Sequence, residues 1–205
     1  MDYTHPVQTV IPGVQGRILA TLAQTDAELT MRTVARVAGV SSNRATTVLN
    51  GLVKLGLVER RDVGTSALVR LIRENEASRI VTELAQVGDT VLKRLAAAAT
   101  DITPAPVSVV LFGSFARGQA RDDSDVDVFV VRPDQVPGDD SGWISTLGKW
   151  TDLAARIAGN PINLVVASES ELPRLSKRKR SVWAAIAREG VTLLGAELRK
   201  IGAAA

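Results

Sequence analysis

Apolar residues recur at helical spacing through the first half of the chain. In "VQGRILATLAQ", Val14, Ile18, Leu19 and Leu22 fall on one face and predict a first helix. "TMRTVARVAGV" predicts a second, short helix that Gly39 stops. Ser41 stands where it can cap "SNRATTVLNGLVKLG", in which Ala45, Val48, Leu49, Leu52 and Val53 form one apolar stripe ending before Gly56. "LVERR", "DVGTS" and "ALVRLI" read as strand, Gly-containing turn and strand, a β-hairpin. From Glu74 to Ala99, Ile80, Leu84, Val91 and Leu95 predict a long helix with a break near Gly88. Such a helix would join two domains, pair with a second subunit, or do both. The pattern changes at "TDITPAP", which is taken as a domain boundary.

Beyond it the runs are short and β-branched. "VSVVLF" predicts a buried strand, Gly113 a sharp turn, and Ser114 a cap for a helix beginning at "FARG". "DVDVFVV" predicts a second strand. Positions i and i+2 of a strand share a face, so Asp125 and Asp127 are expected to project together. "PINLVVAS" is a further strand, the segment from Trp183 a closing helix packed on the sheet, and "GVTLLG" a last strand.

Composition narrows the chemistry. The chain of 205 residues suits one large domain or two small ones, and 45% apolar with 23% charged residues is ordinary for a globular protein. No cysteine is present, which excludes disulfides, zinc–thiolate sites and thiol nucleophiles. The sole histidine is His5, in a polar leader expected to be mobile, so histidine catalysis is not expected. A metal here would be a hard, oxygen-ligated cation, magnesium or manganese before zinc. The leader lacks a basic start and apolar core, and no apolar run approaches the roughly 20 residues that span a bilayer. We therefore expect a cytoplasmic protein without a membrane partner. The net charge of +3 permits nucleic-acid binding, while 3% aromatic content argues against base stacking on single strands.

Two carboxylates side by side repel unless a cation lies between them. A helix N-terminus presents free N–H groups that suit a phosphate. A Gly-Ser turn alone, or an Asp-x-Asp alone on a loop or solvated edge strand, would mean little. Strand, Gly-Ser, helix, loop and strand with both aspartates, in that order, is equipment for phosphoryl or nucleotidyl transfer.

The pair "GSFARG" and "SDVDVFVV", within roughly Ala105 to Leu194, resembles the minimal nucleotidyltransferases of the DNA polymerase β superfamily. The resemblance implies a mixed sheet flanked by helices. It implies that Gly113 and Ser114 hold the phosphates of a nucleoside triphosphate, and that Asp125 and Asp127 hold magnesium (or manganese). A hydroxyl acceptor of unknown identity would then displace pyrophosphate. Arg117 either adds a charge to the phosphates or is an ordinary surface arginine. The superfamily usually has a third carboxylate on a neighbouring strand, and the matching position is Asn163. An amide can ligate a cation but brings no charge and is no base. Glu169 or Glu171, just beyond that strand, are the substitutes to consider, and Asn163 could instead be structural.

The segment from about Gly13 to Ile72, through "VARVAGVSSNRATTVLNGLVKLGLVERR", resembles the winged helix-turn-helix domains of bacterial regulators of the multiple-antibiotic-resistance type. That resemblance implies double-stranded DNA as partner, with the second helix of the motif in the major groove. Ser42, Asn43, Arg44, Thr46, Thr47 and Asn50 are the candidate readers, and Arg60, Arg61 and Arg70 the backbone contacts. The alternative is a solvated helix face in a dimerisation or protein-binding module. Nine Lys/Arg against seven Asp/Glu between Met1 and Glu76 leave that segment with a net of only +2. "RLSKRKRSVW", with Arg174, Lys177, Arg178, Lys179 and Arg180, is a solvated face or a patch for a polyanion.

The expected fold is thus α+β: a winged helix-turn-helix over 1–73, a linking helix over 74–100 and a nucleotidyltransferase-type mixed sheet flanked by helices over 101–205. Two functions compete. One is a nucleotidyltransferase recruited or regulated by its DNA-binding domain. The other is a transcription regulator whose degenerate nucleotidyltransferase domain only senses nucleotide, with a homodimer as the common form of such winged-helix regulators.

Overall fold

The computed structural model describes residues 1–176 and 182–198. The chain divides into two compact units, His5–Val87 and Met1–Thr4 together with Gly88–Ala205.

The first unit runs α1 (Pro6–Val10), α2 (Gly13–Ala23), β1 (Leu29–Thr30), α3 (Met31–Val37), α4 (Ser42–Lys54), β2 (Val58–Val63), β3 (Ser66–Leu71) and α5 (Glu76–Ala85). The apolar stripes close on one another: Ile18, Leu19 and Leu22 of α2, Val34 of α3 and Leu49 and Leu52 of α4 form one core with Val58, Val69 and Leu71. The predicted hairpin is present, with Val63 opposite Ser66, and the two-residue β1, absent from the sequence reading, adds a third strand in the order β1-β3-β2. Ser41 occupies the N-cap of α4, but its side chain makes no capping bond. Thr30 does cap α3, accepting from the Thr33 N–H at 3.0 Å.

The stretch 74–100 forms two helices, interrupted at Gln86, where α5 gives way to α6 (Val87–Ala99). Helix α5 stays with the first unit because Val81 enters its core and the Ser78 hydroxyl donates to the Leu57 carbonyl at 3.0 Å. Helix α6 falls in the second unit apart from its first residue.

The second unit continues with β4 (Ser108–Phe112), α7 (Gly113–Ala116), β5 (Val126–Arg132), α8 (Ser141–Ala158), β6 (Ile162–Ser168), a 3-10 turn (Glu169–Glu171), α9 (Leu172–Ser176), α10 (Val182–Glu189) and β7 (Val191–Gly195). The sheet order is β6-β5-β4-β7, with β5 and β6 parallel and the other pairs antiparallel. Because side chains alternate, Val110, Phe112, Phe129 and Val131 share one face, buried with Leu172, Trp183 and Ile186. Trp183 meets Phe129 edge-on at 5.8 Å, so the closing helix does pack on the sheet. Val109, Leu111, Val128 and Val130, the alternate set, are equally buried.

Helix α8 is the longest element and the sequence reading passed over it. Its signals are nonetheless present: Asp140 accepts from the Trp143 N–H at 2.7 Å, Trp143, Leu147, Trp150, Ala154 and Ala158 are buried at helical spacing, and Gly159 stops it at φ 68°.

The first residues of the leader, Met1–Thr4, belong to the second unit. Tyr3 donates its backbone N–H to the Ala120 carbonyl at 2.9 Å and its hydroxyl to the Ala158 carbonyl at 2.5 Å, and its ring lies 4.7 Å from that of Phe115. Burial raises the Tyr3 phenol above its ordinary pKa.

Candidate functional site

Strand register delivers the candidate site. Phe112, the last residue of β4, pairs with Asp127 of β5, and Asp127 pairs on its other side with Asn163 of β6. The chain then turns through Gly113 at φ +73°. A Cβ there would stand 2.2 Å from Asp127 Oδ2, so the aspartate carboxylate lies directly against the glycine backbone. Only glycine meets both demands. The Asn163 Nδ2–H donates to the other carboxylate oxygen, Oδ1, at 2.8 Å.

Ser114 is not the cap of the following helix. Helix α7 begins one residue earlier, at Gly113, with Phe112 in the N-cap position, and is a single turn. The half-buried Ser114 hydroxyl makes no hydrogen bond among the described residues, while the Ser114 carbonyl accepts from the Gln119 N–H at 2.8 Å. Asp125 lies just outside the ladder: β5 starts at Val126, and Asp125 is exposed on the loop before it. Asp125 thus stands one residue before the strand that carries Asp127. Among the described residues no group of three acidic or histidine side chains converges on a metal position; the contact present here is that of the Asp127 carboxylate with the Asn163 amide.

Arg117, at the end of α7, is held on two sides. Its Nη1 donates to Glu189 Oε1 at 2.6 Å and its Nε to Gln119 Oε1 at 3.0 Å. Glu169 and Glu171 lie past the opposite end of β6 from Asn163, an end that is itself about 17 Å away at strand rise from Asn163 to Ser168. Glu171 is committed there: it accepts from the Ser168 N–H at 2.7 Å and hydroxyl at 3.1 Å, bonds that lower its pKa below the ordinary carboxylate value. That end also holds a cleft of ≈ 280 Å³ lined by Arg132, Trp143, Leu147, Val166 and Ser168, remote from Asp127. Of the basic run, Lys177, Arg178, Lys179 and Arg180 lie outside the described residues, and Arg174 is exposed.

In the first unit Ser42, Asn43, Arg44, Thr46 and Thr47 are exposed on α4, and Asn50 is half-buried. The hairpin arginines are engaged with acids. Arg60 donates to Asp62 at 2.9 Å and to Asn50 Oδ1 at 3.2 Å, Arg61 forks onto Glu28, and Arg70 donates to Glu59 at 2.7 Å. The Arg61 hydrogen bond lowers the Glu28 pKa, and that carboxylate raises Arg61 in return. Arg32, Arg36, Arg44 and Lys54 are exposed and make no side-chain hydrogen bond or ion pair among the described residues. Sequence reasoning named only Arg44 of these four. Exposed cations on α3 beside α4 were the available signal.

A three-helix core with a hairpin wing, followed by a mixed sheet whose glycine turn faces an aspartate, defines a two-part protein of the winged-helix and nucleotidyltransferase kinds. Residues 11–67 match the MarR family and residues 92–182 match the nucleotidyltransferase domain, so the chain carries a MarR-type domain followed by a nucleotidyltransferase domain. Solved structures similar to it include a toxin–antitoxin crystal structure with AMP-PNP, 18% identical over 55% of this chain and 82% of that one, with a TM-score of 0.38. Another, from Sulfolobus solfataricus and described as a nucleotidyltransferase, is 19% identical over 52% of this chain and 82% of that one, with a TM-score of 0.32. No curated protein matches the chain. Among the described residues no helix is long and apolar enough to cross a membrane.

Proposed function

We propose that the second unit binds a nucleoside triphosphate with magnesium against Gly113 and Ser114 and transfers the nucleoside monophosphate to a hydroxyl acceptor. The observation that carries this reading is the Asp127 carboxylate lying 2.2 Å from where a Gly113 side chain would begin. That close approach leaves bare backbone and an unengaged Ser114 hydroxyl beside a carboxylate, a combination suited to a phosphate–cation pair.

Asp125 and Asp127 are the residues that would hold the cation, and two carboxylate oxygen donors fit a hard ion. When bound, magnesium would supply positive charge to the triphosphate and to the departing pyrophosphate. The chain's own contribution is to orient the phosphates at the glycine turn. The acceptor oxygen forms its bond to the α-phosphorus as the bond to the β-phosphate oxygen breaks. Arg117, fixed by Glu189 and Gln119, is proposed as a charge at the phosphates.

The first unit is proposed to bind double-stranded DNA, with Arg44, Asn43 and Asn50 of α4 toward base edges and Ser42, Thr46 and Thr47 toward phosphates. Arg60 and Arg61 are proposed at the DNA backbone once released from their acidic partners. A two-fold dimer would read a palindromic site with half-sites a whole number of helical turns apart.

One observation favours a second reading, in which the domain senses nucleotide without turning it over. Asn163 sits in register beside Asp127 and donates an N–H to it, so no base stands there to take the acceptor's proton. Incubation with each labelled triphosphate, magnesium and total cell protein or RNA separates the two. Label transferred to an acceptor supports the enzyme; triphosphate bound and recovered intact supports the sensor.

A further inference from the structure

Asp125 immediately precedes the β5 ladder, which fixes the chain on its C-terminal side; the turn on its N-terminal side has supports of its own. The loop before it closes on itself, with the Ser124 N–H donating to the Arg121 carbonyl at 3.2 Å and the Arg121 N–H donating to Ser124 Oγ at 2.9 Å. Both carbonyls of that turn face one buried side chain. Asn160, 3% exposed at the start of the β6 segment, donates its two amide hydrogens to Arg121 O at 3.1 Å and Ser124 O at 2.9 Å. Its Oδ1 accepts from the Met1 amine at 3.1 Å, so every polar atom of the side chain is used. One residue on, the Pro161 carbonyl accepts the Val126 N–H at 2.8 Å.

We propose that Asn160 is a positioning residue that sets the Asp125 carboxylate for cation binding. The inference rests on the cation–triphosphate reading above. The carbonyl of Ser124 belongs to the peptide plane that carries the Asp125 nitrogen, so fixing that oxygen fixes the rotation with which Asp125 leaves the turn. A planar amide with two hydrogens bridges both carbonyls; alanine leaves the Ser124 carbonyl without that donor and the Arg121 carbonyl with the Ser124 N–H alone. Groups that orient metal-binding carboxylates in this way act on affinity without touching the ion.

The test is manganese binding in the presence of inorganic triphosphate, followed by the loss of the free-ion electron paramagnetic resonance signal. This probe does not depend on which base the site prefers. Asn160→Ala should weaken manganese binding about tenfold or more. Asn160→Gln, which keeps both donors on a longer arm, should fall between wild type and Asn160→Ala, and it serves if the alanine variant does not fold. Val91→Ala, a buried change in α6, lowers thermal stability and should leave manganese affinity unchanged. Wild-type affinity in a folded Asn160→Ala or Asn160→Gln protein would overturn the inference while leaving the site reading intact. No manganese binding by wild type would overturn both.

Discussion

Gly113 carries two constraints at once, a left-handed backbone and a carboxylate where its side chain would be. Gly113→Ala should therefore destabilise the protein by about 1–3 kcal/mol for the backbone conformation alone, seen as a lower melting temperature. It should also remove triphosphate binding by displacing Asp127. A variant that melts like wild type and still binds would refute the close approach. Asn163 is the second residue with a sharp consequence. Asn163→Asp replaces a neutral donor by a charged acceptor of the same size, and should tighten magnesium binding and raise transfer if turnover is otherwise limited by the missing base. Brisk wild-type turnover, unchanged by the substitution, would assign the third ligand elsewhere. Gly113 and Asp127 were legible because a glycine turn and an alternating strand show in the spacing, and Asn163 because the family resemblance pointed to its position. Asn160 was not, since its partners are loop carbonyls brought to it only by the folded path of the chain.

At the scale of elements, charge pairing reorders the proposed DNA contacts. Arg61 has Glu28 beside it, whereas Arg44 on α4 has no partner among the described residues. Arg44→Ala should cost about 1–3 kcal/mol of specific duplex binding if it reads a base. Arg61→Ala should cost less, because its ion pair must open before it serves a phosphate. Titrations of labelled duplex with both variants at two salt concentrations check this order, and a larger loss for Arg61→Ala contradicts it. Helix α8 gives a stability prediction: Asp140→Ala removes the bond to the Trp143 N–H and should cost about 1 kcal/mol in denaturant unfolding. The helices and strands of both sheets were largely readable from spacing, but their ends were not. Ser41 and Ser114 looked like caps by residue type, yet Ser41 makes no capping bond and Ser114 lies inside its helix. A serine near a helix start has the right chemistry at several positions, and only backbone geometry chooses among them.

At the scale of the whole molecule, the chain leaves the nucleotidyltransferase unit after Thr4 and returns to it at Gly88, so the winged-helix unit is spliced between two of its segments. Hydrophobic periodicity marks both units but not this route, because the anchor is a single aromatic, Tyr3, against Phe115. Asp125 and Asp127, with the Gly113 turn, are proposed to hold a triphosphate through magnesium. Isothermal calorimetry with magnesium and each nucleoside triphosphate tests it most directly. Wild type should bind at least one triphosphate only when magnesium is present, and Asp125→Ala and Asp127→Ala should each abolish that binding. Undiminished magnesium-dependent binding in both variants would contradict it.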